Sequence, residues 1–110
     1  QFVHDLVEPQ IQYADDERDV AGIRIDVSGL KNGKPKRILY QMIDRRDLKT
    51  GLLAMQRTVG YTASIGAQML LNGDIKKRGL LTPTSNIPVE KFVSELKKRN
   101  IIITREEMDA

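Results

Sequence analysis

No cysteine and no tryptophan occur in this 110-residue sequence. Disulfides and thiolate metal sites are therefore excluded, and with no sign of an oxidising compartment the cytoplasm is the expected location. Aromatic residues make up only 5% of the chain, so its core has to be assembled from Ile, Leu, Val and Met. There is one histidine, His4, with no second His, Cys or Ser motif beside it. It reads as a surface or interface residue rather than a metal ligand or general base. No apolar run approaches the roughly 20 residues a spanning helix needs, and no signal peptide is visible. Charge of one sign is also missing. The 18 basic and 15 acidic residues give +3, and they alternate, as in Asp44-Arg45-Arg46-Asp47. Nucleic-acid binding calls for basic residues gathered on one face with aromatics between them, so it is not expected here.

Two glycine signatures are absent as well. No Gly-x-Gly-x-x-Gly follows a strand, and no Gly-x-x-x-x-Gly-Lys-Ser/Thr loop occurs, so no residue of this chain is expected to bind a cofactor. Catalytic residues and metal ligands are likewise expected to be none. The hydroxyls of Thr50, Thr58, Tyr61, Thr62 and Ser64 lie at no recognisable offset from a general base. What is present, 40% hydrophobic and 30% charged residues, fits a single domain over 1–110. The sequence opens on Gln1 rather than Met, and an excised piece of a larger protein is expected.

The strongest local signal is Asn32-Gly33 between two alternating runs, which predicts a two-residue type I′ hairpin turn. Pairing Lys31 with Lys34 sets Val27 against Ile38, Ile25 against Tyr40 and Ile23 against Met42, making one wholly apolar side. Arg24, Asp26 and Ser28 then oppose Gln41, Leu39 and Arg37 on the other. A one-residue slip would mix the faces, so turn chemistry and burial agree on this register. An isolated ribbon is marginal in water, and a helix is needed against its apolar side.

Apolar and small residues from Leu52 to Leu70 recur at helical steps and end at Asn72-Gly73. The helix runs either unbroken from about Leu52 or from near Tyr61 after an irregular turn at Thr58-Val59-Gly60. Gly60 and Gly66 each weaken a helix by about 1 kcal/mol relative to Ala, which close approach of another backbone or a ligand would explain. A second helix follows Pro88, with Val89, Phe92, Val93 and Leu96 as its stripe and Asn100 as its stop. The remaining segments read as a short helix before Pro9, or the end of a longer one, then a charged connector over 15–19 and a basic loop at Lys76-Lys77-Arg78-Gly79. An extended link then covers 80–85, a short strand covers Ile101–Thr104, and a frayed polar tail follows from Arg105. The fold class is α/β in the α+β sense. A mixed or antiparallel sheet including the hairpin (about 20–44) is packed by two main helices (about 52–72 and 88–99). Arg45, Arg46 and above all Arg57 carry guanidinium forks that suit a substrate carboxylate, although surface ion pairing is the more common use of such residues.

The run Ala54-Met55-Gln56-Arg57-Thr58-Val59-Gly60-Tyr61-Thr62-Ala63 resembles the Ala-Met-x-Arg-Thr-x-Gly-Tyr-Pro-Ala segment of saccharopine and lysine dehydrogenase-like proteins. Gly79-Leu80-Leu81-Thr82-Pro83 and Ile87-Pro88-Val89-Glu90-Lys91-Phe92 are similar to that family's closing motif and helix, and the hairpin with Asp44 fits upstream. Thr62 departs from the family's Pro. The resemblance implies the C-terminal substrate and dimerisation part of an oxidoreductase that uses NAD or NADP, lacking its N-terminal Rossmann domain and inactive alone. It implies hydride transfer at a CH–NH or CH–NH2 carbon of a lysine-like amino acid, namely saccharopine, lysine or a carboxyamine. Arg57, Thr58, Gly60 and Tyr61 would then bind substrate, with the missing Rossmann domain and a second copy of the chain as partners and no role for membrane. The alternative is a stand-alone homodimeric interaction or amino-acid-sensing module.

Overall fold

A computed structural model describes residues 1–109. The elements in chain order are α1 (Phe2–Ile11), β1 (Val20–Lys31), β2 (Lys34–Arg45), α2 (Ala54–Leu71), α3 (Pro83–Asn86), α4 (Val89–Lys98) and β3 (Ile103–Asp109). The strands form one antiparallel sheet in the order β1-β2-β3. Helices α2 and α4 lie on one face of it, giving an α+β architecture. Met42 and Ile103 from the sheet meet Ile65 and Met69 of α2, Leu96 of α4 and Ile101 in a small aliphatic core.

The hairpin has the register that turn and alternation demand. Asn32 and Gly33 take φ of 54° and 76°, the left-handed geometry of a type I′ turn. Lys31 pairs with Lys34, Val27 with Ile38, Ile25 with Tyr40 and Ile23 with Met42. The helices cover only part of this apolar side. Met42 is buried, whereas its cross-strand partner Ile23, with Ile25 and Val27, stays about half exposed at 53%, 51% and 52%. The core gathers on Met42 of β2 and Ile103 of β3, so β1 lies beside it rather than beneath it.

Helix α2 is continuous through Thr58-Val59-Gly60, which settles the choice of start in favour of the longer helix. Its first turn is held from outside. The Asp19 carboxylate accepts from the backbone N–H groups of Ala54 at 2.7 Å and Met55 at 3.2 Å, while Gln56 Oε1 accepts from Leu53 N–H at 3.0 Å. These bonds satisfy amides that a helix N-terminus leaves without partners, and the negative charge suits the dipole. The connector over 15–19 therefore contains a helix cap. At the other ends, Asn72-Gly73 stops α2 and Asn100, at φ 60°, stops α4.

Three segments differ from expectation. Helix α1 continues through Pro9 to Ile11; none of its residues is buried, so water is available to the carbonyl that the proline ring leaves without a donor. The link over 80–85 contains α3, a single turn opened by Pro83, whose fixed φ and missing N–H suit a first helical position. The polar residues after Thr104 form strand β3 instead of a frayed tail, paired with Lys36–Met42. Ion pairs accompany this pairing: Lys36 of β2 meets Asp109, Lys31 of β1 reaches across to Glu107, and Arg105 meets Glu107 along β3 itself. Ile101 precedes the strand and belongs to the core.

Ile65 is fully buried and Leu71, on the same helix, is 87% exposed. Ile65→Ala should cost about 2–5 kcal/mol of stability through lost burial and a cavity, and Leu71→Ala should change little; chemical denaturation of the two variants measures both. Asp19→Ala should cost about 1 kcal/mol through loss of the cap.

Candidate functional site

Strand β2 carries Ile38, Tyr40, Met42 and Asp44 on its helix-facing side, so a carboxylate continues a stripe that is otherwise mostly apolar. Helix α2 brings Arg57 opposite it. Both residues are only 6% exposed. Arg57 Nε donates to Asp44 Oδ2 at 2.9 Å and Nη2 to Oδ1 at 3.3 Å, a bidentate charge-assisted pair. Nη2 also donates to the Arg99 carbonyl at 3.1 Å, and Nη1 reaches Asp47 at 3.5 Å. One guanidinium thus joins β2, the loop after it, α2 and the end of α4. Its pKa is raised above the ordinary value first by the Asp44 hydrogen bond, with Asp44, Tyr61 and Asp47 adding attraction.

Tyr61 lies one turn further along α2, with its ring between two cations. The Arg57 and Arg99 guanidinium carbons stand 5.6 Å and 5.9 Å from its centroid, within cation–π range. Arg99 is in turn held by the Glu95 carboxylate and carbonyl, both at 2.8 Å. Of the four residues expected to bind substrate, the structure brings Arg57 and Tyr61 together. Thr58 lies beside them, half-buried, its hydroxyl donating back to the carbonyls of Ala54 or Met55. Gly60 is exposed, with nothing within 4 Å of where a Cβ would stand. Thr62, at the position of the family's Pro, donates to the Val59 carbonyl at 2.8 Å within the unbroken helix.

The open side of this cluster is a cleft of about 420 Å³, lined by Arg18, Asp44, Arg45, Asp47, Lys49 and Arg57. Arg45 is exposed there. Arg46 is drawn away from it, donating to the Ala14 and Glu17 carbonyls, so it shapes the connector. Asp47 accepts from the Lys49 N–H at 2.9 Å. That bond is the main cause of its lowered pKa, with Thr50 and Arg57 contributing. Sequence reasoning passed over Asp47, Asp19 and Arg99. Asp44 carried a legible signal, a charge in phase with Met42 and Tyr40.

Asp44→Ala should leave the Arg57 charge buried without its main partner and cost about 3 kcal/mol or more, read as a lowered unfolding midpoint. Asp47 gives a pH dependence of defined sign. Its folded pKa lies below the ordinary 3.8, so its contribution is present above that pH and is lost as pH falls through the lower folded value. Asp47→Asn should flatten stability against pH in that acid window and leave it unchanged in slope near neutrality.

Residues 1–102 match the model of the saccharopine dehydrogenase C-terminal domain. Curated relatives are similar over most of the chain. Alpha-aminoadipic semialdehyde synthase of Arabidopsis thaliana is 32% identical over 82 residues, covering 71% of this chain and 8% of that protein. The mitochondrial enzyme of that name from Bos taurus is 31% identical over 87 residues, 79% of this chain and 9% of its own. The Rattus norvegicus protein gives 31% over 85 residues. The chain therefore spans less than a tenth of the length of these relatives. With the match running through nearly all of the sequence, including the segment that holds the buried Arg57 and the half-buried Tyr61, the chain belongs to the saccharopine dehydrogenase C-terminal domain family.

Proposed function

We propose that this chain is the substrate-binding and dimerisation part of an NAD(P)-dependent oxidoreductase acting on a CH–NH or CH–NH2 carbon of a lysine-like amino acid. The observation that carries the reading is the family match over 1–102, with Arg57 of its Arg-Thr-x-Gly-Tyr segment at the wall of a cleft. The relatives are named for α-aminoadipic semialdehyde, an amino-acid aldehyde. An aldehyde follows from an amine when hydride leaves the C–N carbon for NAD(P)⁺, a proton is released and water hydrolyses the imine. The cofactor would be held by a separate Rossmann domain, since this chain has neither glycine fingerprint.

Within this chain Arg57 contributes positive charge at the wall of the cleft. Its Nε and Nη2 are committed to Asp44, and Nη1 is held only by the long Asp47 contact. A substrate carboxylate replacing Asp47 at Nη1 would gain a charge-assisted bond while leaving the buried pair intact. Tyr61 fixes the direction of the fork, Thr58 flanks it, and Gly60 leaves room for an approaching backbone.

The surface supports a role as one part of a larger body. The chain exposes 8755 Å², against about 6,200 Å² for a self-contained domain of its mass. Its radius of gyration is 18.5 Å, against about 13 Å for compact packing. Met55, Val59, Leu70 and Leu71 of α2 are all more than half exposed, with Gly60, Ala63 and Gly66 between them, a flat apolar face. The exposed apolar side of β1 also suits the alternative, a stand-alone homodimeric interaction or amino-acid-sensing module.

An NAD(P)-linked assay of the full-length gene product against saccharopine, lysine and carboxyamines, with this chain as control, separates the two. Turnover by the long protein and none by the short one is expected. A gene product with no nicotinamide domain and no turnover would select the interaction module. Arg57→Lys keeps the charge and loses the fork; in an active enzyme it should raise KM for the amino acid at least about 10-fold with a smaller effect on kcat.

A further inference from the structure

Arg57 has donors to spare on one nitrogen. A guanidinium carries five N–H groups. The Nε group and both Nη2 groups are taken by Asp44 and the Arg99 carbonyl. The two on Nη1 have only the Asp47 contact at 3.5 Å, much longer than a good charge-assisted bond. The Arg57 side chain is 7% exposed, so Nη1 is the poorly satisfied part of a buried cation. Such a group gains most from a new acceptor.

Asp47 is arranged in the complementary way. Its backbone closes the loop after β2: the Asp47 N–H donates to the Leu52 carbonyl at 2.9 Å, and its carbonyl accepts from the Gly51 N–H at 2.8 Å. Side-chain Oδ1 accepts from the Lys49 N–H at 2.9 Å, and Thr50 also contributes to holding the carboxylate. The anion is thus anchored by its own loop, while the contact of Oδ2 with Arg57 is long. At 30% its side chain is also more open to the cleft than that of Arg57. Asp44 offers no such opening, since Arg57 engages both of its oxygens.

The wall of the cleft therefore holds a fixed anion beside a cation with open donors, and neither satisfies the other. An α-amino acid carries the matching pair, an ammonium and a carboxylate on one carbon. A carboxylate seated on Nη1 takes the donors that Asp47 barely uses. Oδ2, released from its long contact, then accepts from the ammonium beside it. We propose that Asp47 is a specificity residue that binds the α-ammonium of an amino-acid ligand whose α-carboxylate lies on Nη1 of Arg57. The ligand class is a zwitterionic α-amino acid head group. A bare carboxylate is disfavoured, because the Asp47 charge then faces it without an ammonium between them. This rests on the amino-acid substrate of the proposed function and adds the residue that tells an α-amino acid from the desamino acid of the same length.

Calorimetric titration of the full-length protein with L-lysine and with 6-aminohexanoate, the same chain without the α-ammonium, reads the preference directly. Wild type should bind L-lysine about 10-fold or more tightly, the worth of one charge-assisted bond. Asp47→Asn keeps an acceptor for the Lys49 amide and removes the charge. It should weaken L-lysine by about 10-fold and leave 6-aminohexanoate as tight or tighter, since the repulsion on its carboxylate is gone. A loop merely disturbed by the substitution would weaken both ligands alike. That result overturns the proposal, as does an Asp47→Asn protein that keeps the wild-type preference; NAD(P)-linked turnover would in either case leave the enzymatic reading in place. Arg57→Lys should weaken both ligands, and an Arg57→Lys protein that binds both as tightly as wild type also counts against the pairing. A preference for L-lysine that Asp47→Asn abolishes, in a protein without turnover, supports the assignment of Asp47 and selects the amino-acid-sensing alternative. Binding of neither ligand overturns the assignment, and the turnover assay then decides the enzymatic reading by itself.

Discussion

The buried ion pair between Asp44 and Arg57 sets the geometry on which the rest of the domain depends. A charge pair removed from water gains little net stability, since its attraction is set against the desolvation of both groups. What it contributes is a unique orientation. Arg57 meets Asp44 only when one side of α2 faces β2, and the residues four, eight and twelve positions further on are then Tyr61, Ile65 and Met69. The pair thus selects the stripe of α2 that forms the core. The Arg99 carbonyl, bonded to the same guanidinium, ties the end of α4 to the arrangement, and Leu96, one turn before it, enters the core with α2.

A second charge, Asp19, closes the same end of the molecule. It immediately precedes β1 and caps α2, so the start of the hairpin, the end of β2 and the first turn of α2 converge within a few residues. Order is concentrated there. Along β1 the apolar side of the ribbon stays about half exposed, with no further cover from the described residues. The molecule therefore combines a cross-braced base, which holds the Arg57 and Tyr61 cluster, with an arm whose side chains are alternating and aliphatic but unpacked.

Much of the fold was legible because its signals are local. Asn32-Gly33 requires two positive φ values, and that requirement with the alternation of Ile23, Ile25 and Val27 leaves one register. Asn72-Gly73 and Asn100 stop helices for the same conformational reason. The misreadings came from residues whose partners are distant in sequence. Arg105 to Asp109 look like a solvated tail until Lys31, Lys36 and the open edge of β2 are placed beside them. Asp19 looks like one more charge in an acidic connector, because the amides it caps lie 35 residues away. Pro9 has the look of a stop, yet an exposed helix with water at its carbonyls tolerates it. For the site, the family's motif singled out Arg57 and Tyr61, which the fold brings together, and Gly60, which it leaves in the open. Asp47 and Arg99 carry no motif; they join the cluster through the loop after β2 and the end of α4, and neither placement follows from spacing.

The pairing state of the charges near the cleft bears on what this part of a protein can contribute to a reaction. Asp44 and Asp47 both accept from Arg57. Asp47 has its pKa lowered chiefly by the Lys49 amide, and Glu95 is held down by Lys98 and Arg99. A carboxylate acting as a general base near neutral pH needs the opposite treatment, a pKa raised by burial or by a like charge. Asp47 and Glu95 are instead tuned to remain ionised and to hold cations in place. These charges therefore brace one another and keep the wall of the cleft ionised. A small, aliphatic domain can thus keep a set of fixed charges at the wall of a cleft, because the hydrogen bonds around Asp47 and Glu95 lower the pKa of each and hold both ionised.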